Sequence, residues 1–308
     1  VNLRGDTTLD QRIAYLKCAA NLRGGAVHLL HLKVLTPEEQ SAWLKALSLA
    51  ALRNAAPKSL LISKCDLDIY HVLSALKKSN GLDHLSLQWM RINDPCIEVL
   101  RDFSSLTSLH LEGIDVSGKF VAQLAELRPS HLSLAASVQR LHIDSISIDW
   151  GKSIGFLHNW PKLQELSLSS YTRDMREEEL INFMAHLASP FIGEHTSGSD
   201  SASPLQLYSL DMQRNSIDSP HLGYSSAELS QSAVAAVVDA LARSGLPFFQ
   251  HPKMGPAIET QLWRNQRNHM PRSGLELVPA TSMPLVICGD PFSGKTLTLK
   301  YFTTDCLI

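Results

Sequence analysis

Eight consecutive residues near the end of the chain have the types and spacing of a phosphate-binding loop. They match the pattern G-x-x-x-x-G-K-[ST] in full and are Gly289, Asp290, Pro291, Phe292, Ser293, Gly294, Lys295 and Thr296. The two glycines let the backbone approach a polyphosphate closely, because a Cβ atom would block it. We expect Lys295 to place its charge on the β- and γ-phosphates and the Thr296 hydroxyl to ligate Mg²⁺. The motif therefore predicts a nucleotide–magnesium site, and a chance turn is the alternative.

The residues around this motif predict the elements that such a loop needs. Residues 285–288 form a short apolar run of the kind found in buried parallel strands. Leu297, Leu299 and Tyr301 follow, so a helix can begin where the loop ends. This order points the loop amides and the positive end of the helix dipole at the phosphates. Pro291 is an exception because it has no N–H to donate.

The nucleotide segment is short for a domain. The chain has 308 residues and ends twelve residues after Thr296. A nucleotide-binding domain needs several strand–helix units to cover its sheet. We therefore expect residues 284–308 to be the truncated opening of a P-loop domain, and the chain by itself to be inactive as a hydrolase.

Composition is typical of a globular protein with a large core. Apolar residues make up 44% and charged residues 19%, and the net charge of −2 gives no reason to expect nucleic acid as a partner. No apolar run is long enough to span a membrane. The five cysteines form no C-x-x-C pair, so neither a zinc knuckle nor a disulfide framework is indicated. These features predict a reduced, cytoplasmic protein.

A leucine pattern, L-x-x-L-x-L, recurs upstream of the loop. Full copies and conservative variants occupy residues 82–87, 106–111, 138–143, 163–168 and 207–212, and two weaker copies occupy residues 30–32 and 60–62. The last apolar residue of successive copies recurs after 30, 25, 24, 32, 25 and 44 residues. Leucine-rich repeats run at roughly 20–29 residues, so this pattern is similar to theirs.

The segments between the copies have helical periodicity. Ile69, Val72, Leu73 and Leu76 fall on one face of a helix, and Lys77 falls on another. The same spacing recurs after the later copies, at residues 97–103, 120–127, 180–187 and 234–241. Alternating strands and whole helices predict an α/β fold. The resemblance to ribonuclease-inhibitor-like leucine-rich repeats implies a solenoid with a curved parallel sheet and helices outside.

The residue between the paired apolar positions of each strand should point to the concave side of that sheet. These residues are His31, Ser86, His110, His142, Ser167 and Asp211. The three histidines suggest a metal or pH-sensitive surface, but no carboxylate or cysteine accompanies them at ligand spacing. The favoured interpretation is a solvated surface, where we expect a protein partner to bind.

The other segments flank or interrupt the array. We expect an N-terminal cap, the repeats, a linker and the truncated P-loop domain at residues 1–25, 26–245, 246–283 and 284–308, respectively. The cap should contain a helix at residues 10–22, and the Ser/Gly-rich residues 189–204 should be a disordered insertion. The basic stretch at residues 263–267 predicts a short helix in the linker. Residues 132–134 compete with residues 141–143 for one strand position.

Leucine-rich repeats followed by the sequence VICGDPFSGKT resemble the Roco family, with plant and protist members as the nearest likeness. In that family the repeats precede a Ras-like GTPase domain called Roc and a dimerisation domain called COR. The resemblance implies GTP, Mg²⁺ and GTP hydrolysis in an intact parent that forms homodimers. It also implies a signalling role in which the repeats dock partner proteins or regulate the GTPase domain.

The chain departs from the family pattern after the loop. No COR or kinase segment is present, and neither Asp-x-x-Gly nor Asn-Lys-x-Asp follows Thr296. The preference for GTP over ATP therefore follows from the resemblance alone. The alternative function is a leucine-rich repeat adaptor without a nucleotide role.

We predict that residues 1–308 bind guanine nucleotide weakly or not at all, because the base-reading motif is missing. Titration with a fluorescent GTP analogue and Mg²⁺ measures the affinity directly. Micromolar binding that Lys295→Ala abolishes would contradict this prediction.

Overall fold

The computed structural model describes most of the chain up to His269. The described residues are 8, 10–11, 14, 17–18, 25–30, 36–53, 57–65, 67–77, 81–92, 94–114, 118–130, 133–145, 147–170, 175–188, 207–212, 229–251 and 253–269. All of them belong to one compact unit, Val1–His269. The predicted insertion at residues 189–204, residues 270–283 of the predicted linker and the whole phosphate-loop segment lie outside the described residues.

Eight parallel strands form one sheet in which each strand pairs with the next one along the chain. They are β1 Ala26–Leu30, β2 Ser59–Ser63, β3 His84–Gln88, β4 Ser108–Ile114, β5 Arg140–Ser145, β6 Glu165–Ser170, β7 Ser209–Asp211 and β8 Phe248–Gln250. Parallel neighbours need a crossover connection, usually a helix, between them. The prediction of an α/β fold with a parallel sheet is confirmed.

Ten described helices alternate with these strands. They are α1 Pro37–Leu52, α2 Ile69–Leu76, α3 Pro95–Leu100, α4 Gly118–Ala125, α5 Leu134–Ser137, α6 Trp150–Ser153, α7 Gly155–Asn159, α8 Glu177–Ala188, α9 Gln231–Ser244 and α10 Pro256–His269. They pack in series, so that α1 contacts α2, α2 contacts α3, and α8, α9 and α10 contact one another in turn. Within the described part of the chain, no helix has the length and apolar character required to cross a bilayer.

The core lies between the sheet and the helices. Leu85 and Leu87 of β3 are buried and pair in register with Leu109 and Leu111 of β4. The helices contribute the predicted apolar faces, for example Val72 of α2, which is buried in the same cluster. Because a single strand–helix unit cannot cover its own apolar face, neighbouring units must share one interior.

Local sequence signals fix the helix ends. Thr36 accepts from the Glu39 N–H while the Glu39 carboxylate accepts from the Thr36 N–H, and Pro37 follows at the first helical position of α1. Asp68 caps α2 through the Tyr70 N–H. These side chains satisfy backbone donors that have no partner within the helix.

The predicted position of the first strand was wrong. Residues 26–32 read AVHLLHL, so apolar residues flank both His28 and His31. In the structure Val27 and Leu29 pair with Leu60 and Ile62, which makes His28 the face residue, whereas His31 lies outside the described residues. The sequence alone fits two alternations of buried and exposed residues, one centred on His28 and one centred on His31. The pairing with β2 selects the alternation centred on His28.

The array also continues beyond its predicted end at residue 245. Phe249 of β8 pairs with Leu210 of β7 and is buried, and Ile258 of α10 is buried in the same core. Asn265 of α10 donates to the carbonyl oxygens of Leu241 and Leu246, each at 2.8 Å, which ties α10 to the end of α9. The predicted short linker helix is therefore a 14-residue helix of the array. The leucine pattern did not detect this unit, because its strand has only three residues and carries phenylalanine in place of leucine.

Two further predictions have outcomes in the structure. The competition for one strand position is settled, since residues 140–145 form β5 and Leu134 begins the short helix α5. Of the predicted cap helix at residues 10–22, the described residues 10, 11, 14, 17 and 18 are helical.

We predict that Gly155→Ala destabilises the fold by about 1–3 kcal/mol, because helices α4 and α7 approach too closely for a side chain. A Cβ atom on Gly155 would lie 2.5 Å from the Ala125 carbonyl oxygen. Gly151 in α6 is a matched control, since its Cβ would meet only the Asp149 Oδ1 atom, at 3.5 Å. Gly151→Ala should be neutral or stabilising by up to about 1 kcal/mol. Urea unfolding of both variants tests this, and equal midpoints would refute it.

Candidate functional site

Alternate strand residues form a column that runs across all eight strands on the side of the sheet opposite the core. In strand order this column consists of His28, Leu61, Ser86, His110, His142, Ser167, Asp211 and Gln250. Its members are partly or fully exposed, whereas their described apolar neighbours along each strand are buried. We call the side of the sheet that carries this column the open face. Five of the six residues predicted for it are confirmed in the column, and His28 replaces His31.

Two imidazoles meet edge to face at the centre of the open face. The rings of His110 and His142 are 4.2 Å apart between centroids and inclined at 64°. Burial and the neighbouring His110 together lower the pKa of His142 to about 4. Burial also lowers the pKa of His110, against the opposing pull of the Glu112 carboxylate. The pair therefore presents two neutral rings at neutral pH.

Polar side chains adjoin these rings. The His110 Nε2 atom lies 3.3 Å from the Glu112 Oε2 atom, and this carboxylate favours the protonated imidazole. The Ser86 hydroxyl, one strand away in the column, is buried without a hydrogen-bond partner among the described residues. Buried polar atoms are usually paired, so Ser86 is an exception in this column.

A second feature borders the open face at the carboxyl ends of β2, β3 and β4. Three residues here have left-handed backbone conformations and follow strand residues that are paired in register. They are Lys64, Trp89 and Gly113, with φ of 52°, 56° and 57°. The Trp89 ring packs on Gly113, where an added Cβ would lie 2.5 Å from its Cδ2 atom. The Lys64 Nζ atom is 5.5 Å from the centre of this ring. Trp89 is still 45% exposed, so it offers a flat aromatic surface.

Charge on the open face is mainly acidic. Glu112, Glu165 and Asp211 point to this side of the sheet, and Arg140 is the basic residue among them. The neutral imidazoles do not offset the carboxylates. The face thus combines carboxylates with an exposed aromatic surface, and both occur in reversible protein interfaces.

The predicted nucleotide residues, Gly289 to Thr296, lie outside the described residues, so their roles stay predictions. Sequence reasoning missed Trp89 and Lys64, which follow strands and belong to no repeated pattern position. It also missed Glu112, although its place two residues after His110 puts both on one face of a strand. Within the described ranges no group of three or more His, Cys, Asp and Glu side chains is arranged to hold a metal ion.

We predict that acid weakens the fold through His142. Its pKa is lower in the folded state than in the unfolded chain, so the folded state binds fewer protons and stability falls as the pH drops below 6.5 towards 4. Between pH 8 and pH 5 this term is on the order of 2 kcal/mol. His142→Gln should remove that part of the pH dependence. Urea unfolding at both pH values measures it, with exposed His28→Gln as the control. The same loss in wild type and His142→Gln would exclude this role.

Comparison with models of known protein families gives no match, and comparison with curated proteins gives none either. The resemblance to leucine-rich repeat and Roco proteins therefore rests on the residue patterns of the chain. Functional conclusions have to be drawn from those patterns and from the chemistry of the open face.

Proposed function

We propose that the chain is the protein-binding leucine-rich repeat region of a Roco-type GTP-binding signalling protein, and that the open face receives the partner. The observation that carries this proposal is the in-register column of eight side chains on consecutive parallel strands. Stacked repeats are used in this way because they present one long, continuous surface to another protein.

The composition of the face supports a protein as the ligand. Trp89 is exposed at its border, and tryptophan is among the residues that contribute most to protein interfaces. Glu165 and Asp211 add carboxylates that favour basic groups on the partner and increase its rate of association.

The nucleotide part of the proposal rests on the motif at residues 289–296 and on the order of repeats before loop. In an intact parent, Lys295 would contact the phosphates and Thr296 would ligate the Mg²⁺ that accompanies GTP. The repeats would then deliver partners to the GTPase domain or regulate it.

A repeat-only adaptor is the second candidate, and one observation favours it. The unit Val1–His269 contains an apolar core that extends, among the described residues, from Val27 to Leu262. A core of this kind is sufficient for a repeat module to fold and bind a partner on its own.

We predict that Ser167→Lys abolishes partner binding, because it places a long charged side chain in the middle of the column. Ser41→Lys makes the same substitution at an exposed position of α1 and should leave binding intact. Quantitative affinity purification with wild type and both variants, checked by thermal unfolding, identifies proteins that depend on Ser167. Proteins retained equally by all three chains would contradict the open face as the binding surface. If binding depends on Ser167 but not on Lys295, the adaptor function is favoured.

A further inference from the structure

Two exposed aromatic rings meet beside the last described strands, β7 and β8. The centroids of the Tyr208 and Phe248 rings are 4.8 Å apart, and the ring planes are inclined at 56°. Tyr208 is 48% exposed and Phe248 is 41% exposed. Phe248 belongs to the open face, because side chains alternate along a strand and the next residue, Phe249, is buried in the core. Contiguous exposed apolar surface of this kind is typical of protein interaction sites.

The strand register makes Phe248 an exception among the residues at its level. Pairing from strand to strand aligns it with polar residues on β2 to β7, which are Ser59, His84, Ser108, Arg140, Glu165 and Ser209. The buried residue of β8 is Phe249, so the packing of the core does not account for a second phenylalanine at position 248. The ring of Phe248 instead adds aromatic surface to the open face.

A carboxylate lies two strands away at the same level. Glu165 of β6 is in register with Ser209 of β7, which is in register with Phe248 of β8. Neighbouring strands are about 4.8 Å apart, so the Cα atoms of Glu165 and Phe248 are about 10 Å apart. The short side chain of Ser209 leaves space between the carboxylate and the rings. Among the described residues, none forms a hydrogen bond or ion pair with the exposed Glu165 carboxylate, and this includes Arg140 on its other side.

We propose that this part of the open face binds an arginine side chain of the partner protein. The guanidinium stacks on the rings of Tyr208 and Phe248, and its N–H groups donate to the Glu165 carboxylate. This inference rests on the proposed function, because it concerns the same face. Asp211, two residues after Ser209 on β7, adds a second negative charge to this part of the face.

The combination of flat rings and a carboxylate selects arginine over other side chains. A guanidinium is planar, so it can lie flat on an aromatic ring while its fork of N–H groups reaches a carboxylate. The lysine ammonium is a strongly hydrated point charge, and it cannot make both contacts in this way. An acidic side chain would be repelled by Glu165 and Asp211, and an apolar one would leave the Glu165 charge without a partner in the interface.

Peptides selected from a random phage-displayed library on the immobilised full chain test this inference. We expect enrichment of arginine-containing peptides whose affinity falls about tenfold in Glu165→Gln and in Phe248→Ser. Replacing the arginine of a peptide by lysine should also weaken binding about tenfold, because the stacked contact is lost. Calorimetric titration with synthetic peptides measures each affinity, and thermal unfolding confirms that each variant is folded. If Phe248→Ser does not fold, Tyr208→Ser replaces it.

Two matched control variants lie on helices. Glu178→Gln removes an exposed carboxylate from α8, and Tyr70→Ser removes an exposed aromatic ring from α2, so both should keep the wild-type affinity. Four results would each overturn the inference: no selected peptide, selected peptides without arginine, equal binding of the lysine peptides, or unchanged affinity in both Glu165→Gln and Phe248→Ser. If Ser167→Lys abolishes binding but those two variants do not weaken it, the inference fails and the proposed function stands. Peptides that bind all three variants equally would contradict both.

Discussion

The structure depends on one constraint, the register of the buried apolar pair in each strand. Leu85, Leu109, Leu141 and Leu166 stand side by side on β3 to β6, and each is covered by residues of the neighbouring unit and by the helices. Neighbouring strands lie about 4.8 Å apart, and successive side chains of a strand point to opposite faces of the sheet. A shift of one residue would therefore turn every leucine of that strand out of the core. Each unit is therefore held in place by its neighbours, and the array gains stability as a whole.

The same register determines the chemistry of the opposite side of the sheet. Because Leu109 and Leu141 are paired, His110 and His142 must also lie side by side. This holds even though two charged imidazoles at this separation would repel each other. Their mutual burial explains why His142 stays neutral far below the usual range. The same register aligns three residues with left-handed backbone conformations. Lys64, Trp89 and Gly113 each follow a strand residue that is paired with its neighbours, so the three lie at matching positions on adjacent strands. The core thus determines which side chains lie side by side on the open face.

The predictable part of this protein is the part that repeats. Leucine spacing predicted strands β2 to β7 and five residues of the open column, because a period of buried leucines is a direct consequence of stacking. Helical periodicity predicted the longer helices between these strands but not the short helices α5, α6 and α7. The pattern failed where residues depart from leucine, at Val27 and at Phe249, since burial there depends on a neighbouring strand rather than on the local sequence. It also could not indicate the pairing of Lys64 with Trp89, or of His158 with His186, because those residues meet across units at positions with no recurring residue type.

The two imidazole pairs show how position in the array decides what the same side chain can do. His110 and His142 are fixed by strand pairing and are half-buried, and His110 lies beside Glu112, so the two neutral rings form a fixed polar part of the open face. His158 and His186 are carried by helices, which are less tightly fixed in register than strands, and their nitrogens point at each other near solvent. The same type of side-chain pair is therefore held by strand register on the sheet and by a direct hydrogen bond between two helices.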